Sequence, residues 1–184
     1  MILEIVKYPG PALRQKGKPV GAITEEVRVL AECMVETMRA ANGVGLAAQQ
    51  VGVPLQLAVV EVKDDDDRPS TMTVDGRPVS LADWMPMVLL DPVLETGREK
   101  EEGTEGCLSF PEITADIERS RWVRAKGRLP DGRQIEFEAT GLLARALQHE
   151  VDHLNGILFI DRMNSATKTA IKGKLKRLQR EAEE

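Results

Sequence analysis

Between Thr24 and Ala40 the apolar residues Val27, Leu30, Ala31, Met34, Val35 and Met38 recur every three or four positions, the spacing of one helix face. Thr24 is placed to cap this helix, and Glu25 and Glu26 occupy the first turn, where the positive end of the helix dipole favours carboxylates. The pattern stops at Ala41-Asn42-Gly43, residue types that supply the left-handed conformations on which helices end. After a glycine-rich stretch, Leu55 to Val62 reads as a strand, and so do Met87 to Leu90 and Trp122 to Leu129. Pro130-Asp131-Gly132 turns the last of these into Gln134 to Ala139, where Ile135 and Phe137 alternate with Gln134, Glu136 and Glu138. This is a hairpin with one buried face. A second helix is predicted from about Gly141 to Asn155, with Thr140 as its N-cap and Gly156 as the residue that ends it. A third, basic and amphipathic, runs from about Ser165 to Glu181. Helix, strands, helix, helix in that order favours an α+β fold.

One stretch breaks the pattern. Lys63-Asp64-Asp65-Asp66-Asp67-Arg68-Pro69-Ser70, followed by Asp75-Gly76-Arg77-Pro78, combines repelling like charges with turn residues, so 63–83 reads as an exposed insertion. Neither a repeat nor a linker divides the remainder, and 1–184 is expected to form a single domain.

With 184 residues the chain can bury roughly 70% of its unfolded surface, enough for a substantial core. Only 3% of residues are aromatic, and 25 Lys and Arg against 30 Asp and Glu leave a net charge of -5. A basic stripe with stacking aromatics is therefore not expected, which argues against direct DNA binding. No run approaches the ~20 apolar residues that span a bilayer, and the opening MILEIVKYPG lacks the features of a secretory signal. The expectation is a cytoplasmic protein without a membrane partner. Cys33 and Cys107 could form at most one bridge, so a cysteine that matters here matters as a thiol.

The strongest chemical signal is Gln148-His149-Glu150-Val151-Asp152-His153, an HExxH arrangement on a predicted helix. His149 and His153 leave one helix face a turn apart and can converge on a metal ion, with Glu150 beside it to take a proton from water. They are the only two histidines in the chain. A catalytic site usually takes three protein ligands and keeps a fourth position for water, so the third ligand must be Cys, Asp or Glu. Cys33 lies away from the apolar stripe of its helix and reads as an ordinary small residue. Cys107, in Glu105-Gly106-Cys107-Leu108-Ser109, follows a glycine-rich acidic stretch whose backbone can bring a thiolate to a metal. Gly43-Val44-Gly45-Leu46-Ala47-Ala48-Gln49-Gln50 offers close backbone approach and an amide donor.

Taken together, these segments resemble the peptide deformylases. GVGLAAQQ at 43–50, EGCLS at 105–109 and QHEVDHLNG at 148–156 are similar to the three motifs of that family, in the family's order, and FPE and GILFID extend the likeness. The resemblance implies an α+β fold with a central metal-binding helix packed against antiparallel sheets and a C-terminal helix. It implies one divalent metal ion, most often Fe(II) with Ni, Co or Zn accepted, held by Cys107, His149 and His153. The implied substrates are N-formylmethionyl peptides, met as nascent chains near the ribosome exit. By the same likeness, Glu150 is the acid–base residue, while Gln50 and the backbone N–H of Leu108 stabilise the oxyanion. Val44, Leu142 and Ala146 are then expected to line the methionine pocket, and backbone near Gly45 and Gly106 to bind the peptide as an added strand. The chain departs from the family pattern in the length of 63–83 and in Thr114, where some members place an arginine. Gln49 stands at the first motif's variable position, leaving two adjacent glutamines. Two other readings stay open at this stage: an HExxH zinc endopeptidase, and a non-catalytic protein with a structural metal site.

Overall fold

In the computed structural model, which describes residues 1–184, seven strands form one antiparallel sheet. They are β1 (Gly45–Ala47), β2 (Leu57–Val60), β3 (Ser70–Val74), β4 (Arg77–Pro78), β5 (Met87–Thr96), β8 (Trp122–Arg128) and β9 (Gln134–Thr140). Their order is β1-β2-β5-β8-β9-β3-β4, whereas β6 (Lys100–Cys107) and β7 (Phe110–Ser120) pair only with each other. Three helices complete the fold: α1 (Glu25–Ala40), α2 (Gly141–Leu154) and α3 (Ser165–Glu181).

The local patterns land where their periodicity puts them. On α1, Ala31, Met34, Val35 and Met38 bury against Leu46, Leu57, Val59 and Leu90, and the Thr24 hydroxyl accepts the Val27 N–H at 3.3 Å. The helix ends at Asn42, whose φ of 57° is left-handed. β8 and β9 pair along their whole length, from Trp122 opposite Thr140 to Arg128 opposite Gln134, around Gly132 at φ 91°. Ile135, Phe137 and Ala139 then join Val123 and Ala125 in the largest core, which Leu143, Ala144 and Leu147 of α2 complete. α2 is buried nearly all round. Such a helix is ordinarily apolar on every face, yet six of its buried residues, Arg145, Gln148, His149, Glu150, Asp152 and His153, are polar or charged. Each therefore needs a partner.

Two expectations are corrected. The insertion at 63–83 is continuously exposed from Lys63 to Pro69, but the rest of it is built into the fold although Asp75 to Pro78 are exposed. Beyond Pro69 β3 pairs with β9, and Met72 and Leu81 enter the core. The charged, proline-containing flanks mask β3 and the two-residue edge strand β4 beside it, and a sheet edge is where such residues are tolerated. Thr140 holds the N-cap position of α2 but makes no capping bond; its hydroxyl pairs with Thr71. The caps come from the start of β3 and the residue before it instead, Ser70 Oγ accepting the Leu143 N–H at 2.9 Å and the Pro69 carbonyl the Leu142 N–H at 3.2 Å.

The glycine-rich acidic stretch before Cys107 is the strand β6. β7 supplies its partner: Ile113, Ala115, Ile117 and Arg119 face inward while Glu112, Thr114, Asp116 and Glu118 face solvent, the period of two that pins register. Ile113, Ala115 and Ile117 meet Ile171 and Leu178 of α3 in a second core with Phe110 and Phe159.

Candidate active site

The paired strands β6 and β7 and the central helix meet at one point. Cys107 ends β6, just after a register shift at Gly106, and the ladder resumes with Cys107 opposite Phe110. Leu108 and Ser109 form the turn between the two strands. His149 and His153 project from α2, their rings 4.9 Å apart. The Cys107 sulfur lies 3.3 Å from His153 Nε2, and the candidate ligand atoms of Cys107, His149 and His153 all fall within 4.8 Å of one another. Ligands about 2.0 to 2.3 Å from a tetrahedral ion lie about 3.3 to 3.8 Å apart, so two imidazoles and a thiol at this spacing fit one ion. No fourth His, Cys or carboxylate joins the cluster. That leaves a fourth position for water and disfavours a closed structural site. Cys33 is remote from the cluster and unpaired.

The buried charges around the ligands are organised by Glu105, which precedes Cys107 by two residues and shares its strand face. Its Oε1 accepts from His149 Nδ1 at 2.8 Å and from Arg119 Nη2 at 3.0 Å; its Oε2 accepts from Arg119 Nε at 2.9 Å and Arg145 Nη1 at 2.8 Å. Arg119 also donates to Asp152 at 2.6 Å, and Asp152 accepts from Arg162 at 2.9 Å. Burial pushes the Glu105 carboxyl up, but the hydrogen bonds from His149 and Arg119, with the Arg119 charge, outweigh it and bring it down to about 2. The carboxylate holds the proton on Nδ1 of His149 and leaves Nε2 free to face the candidate metal site. Burial opposes charge on His149, yet its bonds to Cys107 and Glu105 raise it well above the usual imidazole value. His153 moves well below, driven by burial and by the positive charges of His149 and Arg119. Its Nδ1 has no protein partner.

Glu150 is buried beside the ligands, and its Oε1 makes no hydrogen bond within the protein. Burial, with the Glu105 charge adding and the His149 charge opposing, pushes its carboxyl up to about 7. Gly45 leaves the space for it, since a Cβ at that position would lie 2.3 Å from Glu150 Oε2.

The structure separates the adjacent glutamines. Gln49 turns inward, its amide donating to the carbonyls of Gln15 at 3.3 Å and Leu154 at 3.1 Å. Gln50 faces the site. Its Oε1 accepts the Ala47 N–H at 2.9 Å, which directs Nε2 to Ser109 Oγ at 3.1 Å and Cys107 Sγ at 3.6 Å. A cavity of about 450 Å³ opens over these groups, lined by Val44, Gly45, Gln50, Gly106, Leu108, Leu142, Ala146 and Thr114, so every residue predicted for substrate contact borders it. Val44 is exposed at its mouth and Ala146 buried in its wall.

Sequence reasoning missed the partners of the candidate metal ligands. Glu105 was legible only as a letter of a motif; once 105 to 107 is a strand, the two-residue spacing puts its side chain on the ligand's face. Arg119 continues the inward alternation of β7, where an arginine on a buried face calls for a carboxylate. Nothing local points to Arg145.

A family model described as polypeptide deformylase matches residues 2–169. A peptide deformylase of Methylacidiphilum infernorum is 44% identical over 180 residues, covering 98% of this chain and 94% of the relative. One from Opitutus terrae is 42% identical, covering 97% and 93%. Among solved structures, peptide deformylase 1B of Arabidopsis thaliana in complex with an inhibitor superposes with a TM-score of 0.83 at 33% identity, covering 98% of this chain and 92% of that one. The Synechococcus elongatus peptide deformylase in complex with actinonin gives 0.78 at 36% identity, covering 94% and 85%.

Proposed function

Since this chain belongs to the polypeptide deformylase family, we propose that it removes the N-terminal formyl group from formyl-methionyl nascent polypeptides, with Cys107, His149 and His153 holding one divalent metal ion. The observation that supports this reading best is the meeting of two imidazoles and one thiol with a buried, unpartnered carboxylate, Glu150, beneath an open cavity.

A divalent ion in that site supplies Lewis-acid charge and acidifies a water. The protein's own groups do the rest. Glu150 accepts the proton of the attacking water as its oxygen bonds to the formyl carbon, and returns that proton to the amine nitrogen as the C–N bond breaks. Formate and a free amino terminus leave. A carboxylate buried beside the site with one oxygen unpartnered is free to take and return that proton. The developing oxyanion takes hydrogen bonds from Gln50 Nε2, already aimed by the Ala47 N–H, and from the Leu108 backbone N–H. Val44, Leu142 and Ala146 receive the methionine side chain. β1 and β6 each end a sheet, and Gly45 and Gly106 lie on these two edges, so an extended peptide can pair between them.

A soft thiolate beside two imidazoles accepts Fe(II), Ni, Co or Zn, and Fe(II) is our assignment. No helix is long and apolar enough to cross a membrane. We place the reaction in the cytoplasm, on chains leaving the ribosome.

The test is turnover of formyl-Met-Ala-Ser against acetyl-Met-Ala-Ser and unblocked Met-Ala-Ser by anaerobically purified protein. Release of formate from the first alone is expected, lost in Glu150→Gln while metal content stays full. Peptide-bond cleavage of the unblocked peptide would establish a peptidase instead. Tight metal with no turnover of any peptide would make the site structural.

A further inference from the structure

Arg145 sits on α2 one turn before His149 and is 6% exposed. Its guanidinium reaches across to the β6–β7 pair. Nη1 donates to Glu105 Oε2 and to the Ile117 carbonyl, each at 2.8 Å, and at 3.4 Å to the Gly103 carbonyl; Nη2 donates to the Glu101 carbonyl at 3.0 Å. One side chain thus grips three alternate positions of β6 and one of β7. Gly103 is shaped to receive it: a Cβ there would stand 2.8 Å from Arg145 Cζ and 2.9 Å from both Nε and Nη2, so the guanidinium lies directly against the strand.

The grip matters because no strand ladder joins β6 and β7 to the seven-stranded sheet. Cys107 rides on β6, whereas His149 and His153 ride on α2, and their spacing depends on side chains that cross between the two. We propose that Arg145 is a positioning residue: by fastening β6 to α2 against Gly103, it fixes the separation between Cys107 and the two histidines. It borders the cavity but makes no hydrogen bond to Cys107, His149 or His153. The inference rests on the metal-site reading above and deepens it by assigning the geometry of that site to a residue outside the motifs' ligand set.

Cobalt(II) is the probe, because its thiolate charge-transfer and visible bands report the geometry and its release to a chelator reports the hold. Arg145→Met removes the grip, Gly103→Ala displaces the guanidinium while keeping its charge, and Arg145→Lys retains a cation that cannot span four acceptors. At a temperature where circular dichroism shows all variants folded, Arg145→Met and Gly103→Ala should release cobalt about 10- to 100-fold faster than wild type, with altered bands. Arg145→Lys should fall between. Turnover per bound ion should drop with little change in KM. Release rates and spectra matching wild type in folded Arg145→Met and Gly103→Ala would overturn the proposal; where Arg145→Met does not fold, Gly103→Ala decides. Wild type that takes up no cobalt, or bands that survive Cys107→Ser, would overturn the metal-site reading itself.

Discussion

Replacing Glu105 by Gln should destabilise the metal-free protein by about 3 kcal/mol at pH 7. The carboxylate accepts four hydrogen bonds of 2.8 to 3.0 Å from His149, Arg119 and Arg145. Its pKa falls from 4.5 to about 2, and at about 1.36 kcal/mol per pH unit this is about 3 kcal/mol. An independent estimate agrees, since removing one partner of a buried ion pair costs about 3 to 5 kcal/mol by stranding the other. The sign with pH follows from a depressed pKa. Wild type holds the full contribution above pH 4.5 and loses it as pH falls towards about 2, whereas the amide does not titrate. Urea midpoints of the two apo-proteins measured from pH 7 downward should therefore converge in acid. Metal affinity should fall by about 10- to 100-fold, because His149 loses the charged acceptor that fixes its tautomer and raises its basicity. A variant within about 1 kcal/mol of wild type at pH 7, or a gap that stays constant into acid, would refute the reasoning.

Three further outcomes follow from the geometry. Bridging out Asp64 to Asp67 with Gly-Ser should leave turnover of a formyl-tripeptide within a few fold, whereas deleting Asp64 to Arg77 removes buried Met72 and the Ser70 cap and should yield unfolded protein by circular dichroism. Gly45→Ala places a Cβ 2.3 Å from Glu150 Oε2; the carboxylate must swing away, and kcat should drop by at least about tenfold at unchanged metal content, checked by steady-state rates and metal analysis. In aerated buffer the iron-reconstituted enzyme should lose activity while the nickel form keeps it, and Cys107→Ser should retain either ion less well; equal stability of the two forms would contradict an oxygen-sensitive iron centre.

Local signals carried most of the fold. α1, α3 and the β8–β9 pair were legible because their periodicity, caps and turn residues lie within a few positions of one another. β7 was equally legible in principle, with Ile113, Ala115 and Ile117 alternating against Glu112, Thr114 and Asp116. The motif beside it drew attention to the chemistry of Cys107 rather than to the alternation that follows it. β3 was hidden because only Met72 among its five residues is fully buried, and four aspartates precede it. In the site, three motifs pointed to the ligands, Glu150 and Gln50. They could not reveal the bonds that hold the ligands: Glu105 meets His149 across 44 positions and Arg119 meets Asp152 across 33. Such pairs are set by how β6 and β7 dock on α2, which no local spacing encodes.

The cap of α2 also sets an order of events during folding. α1 and α3 carry their own caps three residues away, Thr24 for Val27 and Asn164 for Thr167, so each can nucleate on the microsecond scale of an isolated helix. The first turn of α2 draws its acceptor from Ser70, 73 positions earlier, and its Gly141, at φ 67°, lies so close to the Pro69 carbonyl that a Cβ would stand 1.9 Å from it. That turn matures only after a long loop has closed and the sheet edge has docked, a step governed by contact order rather than helix propensity. The histidines of this helix thus acquire fixed geometry late. Hydrogen-exchange labelling during refolding should accordingly protect α1 and α3 before residues 141–156, with the metal centre forming after them.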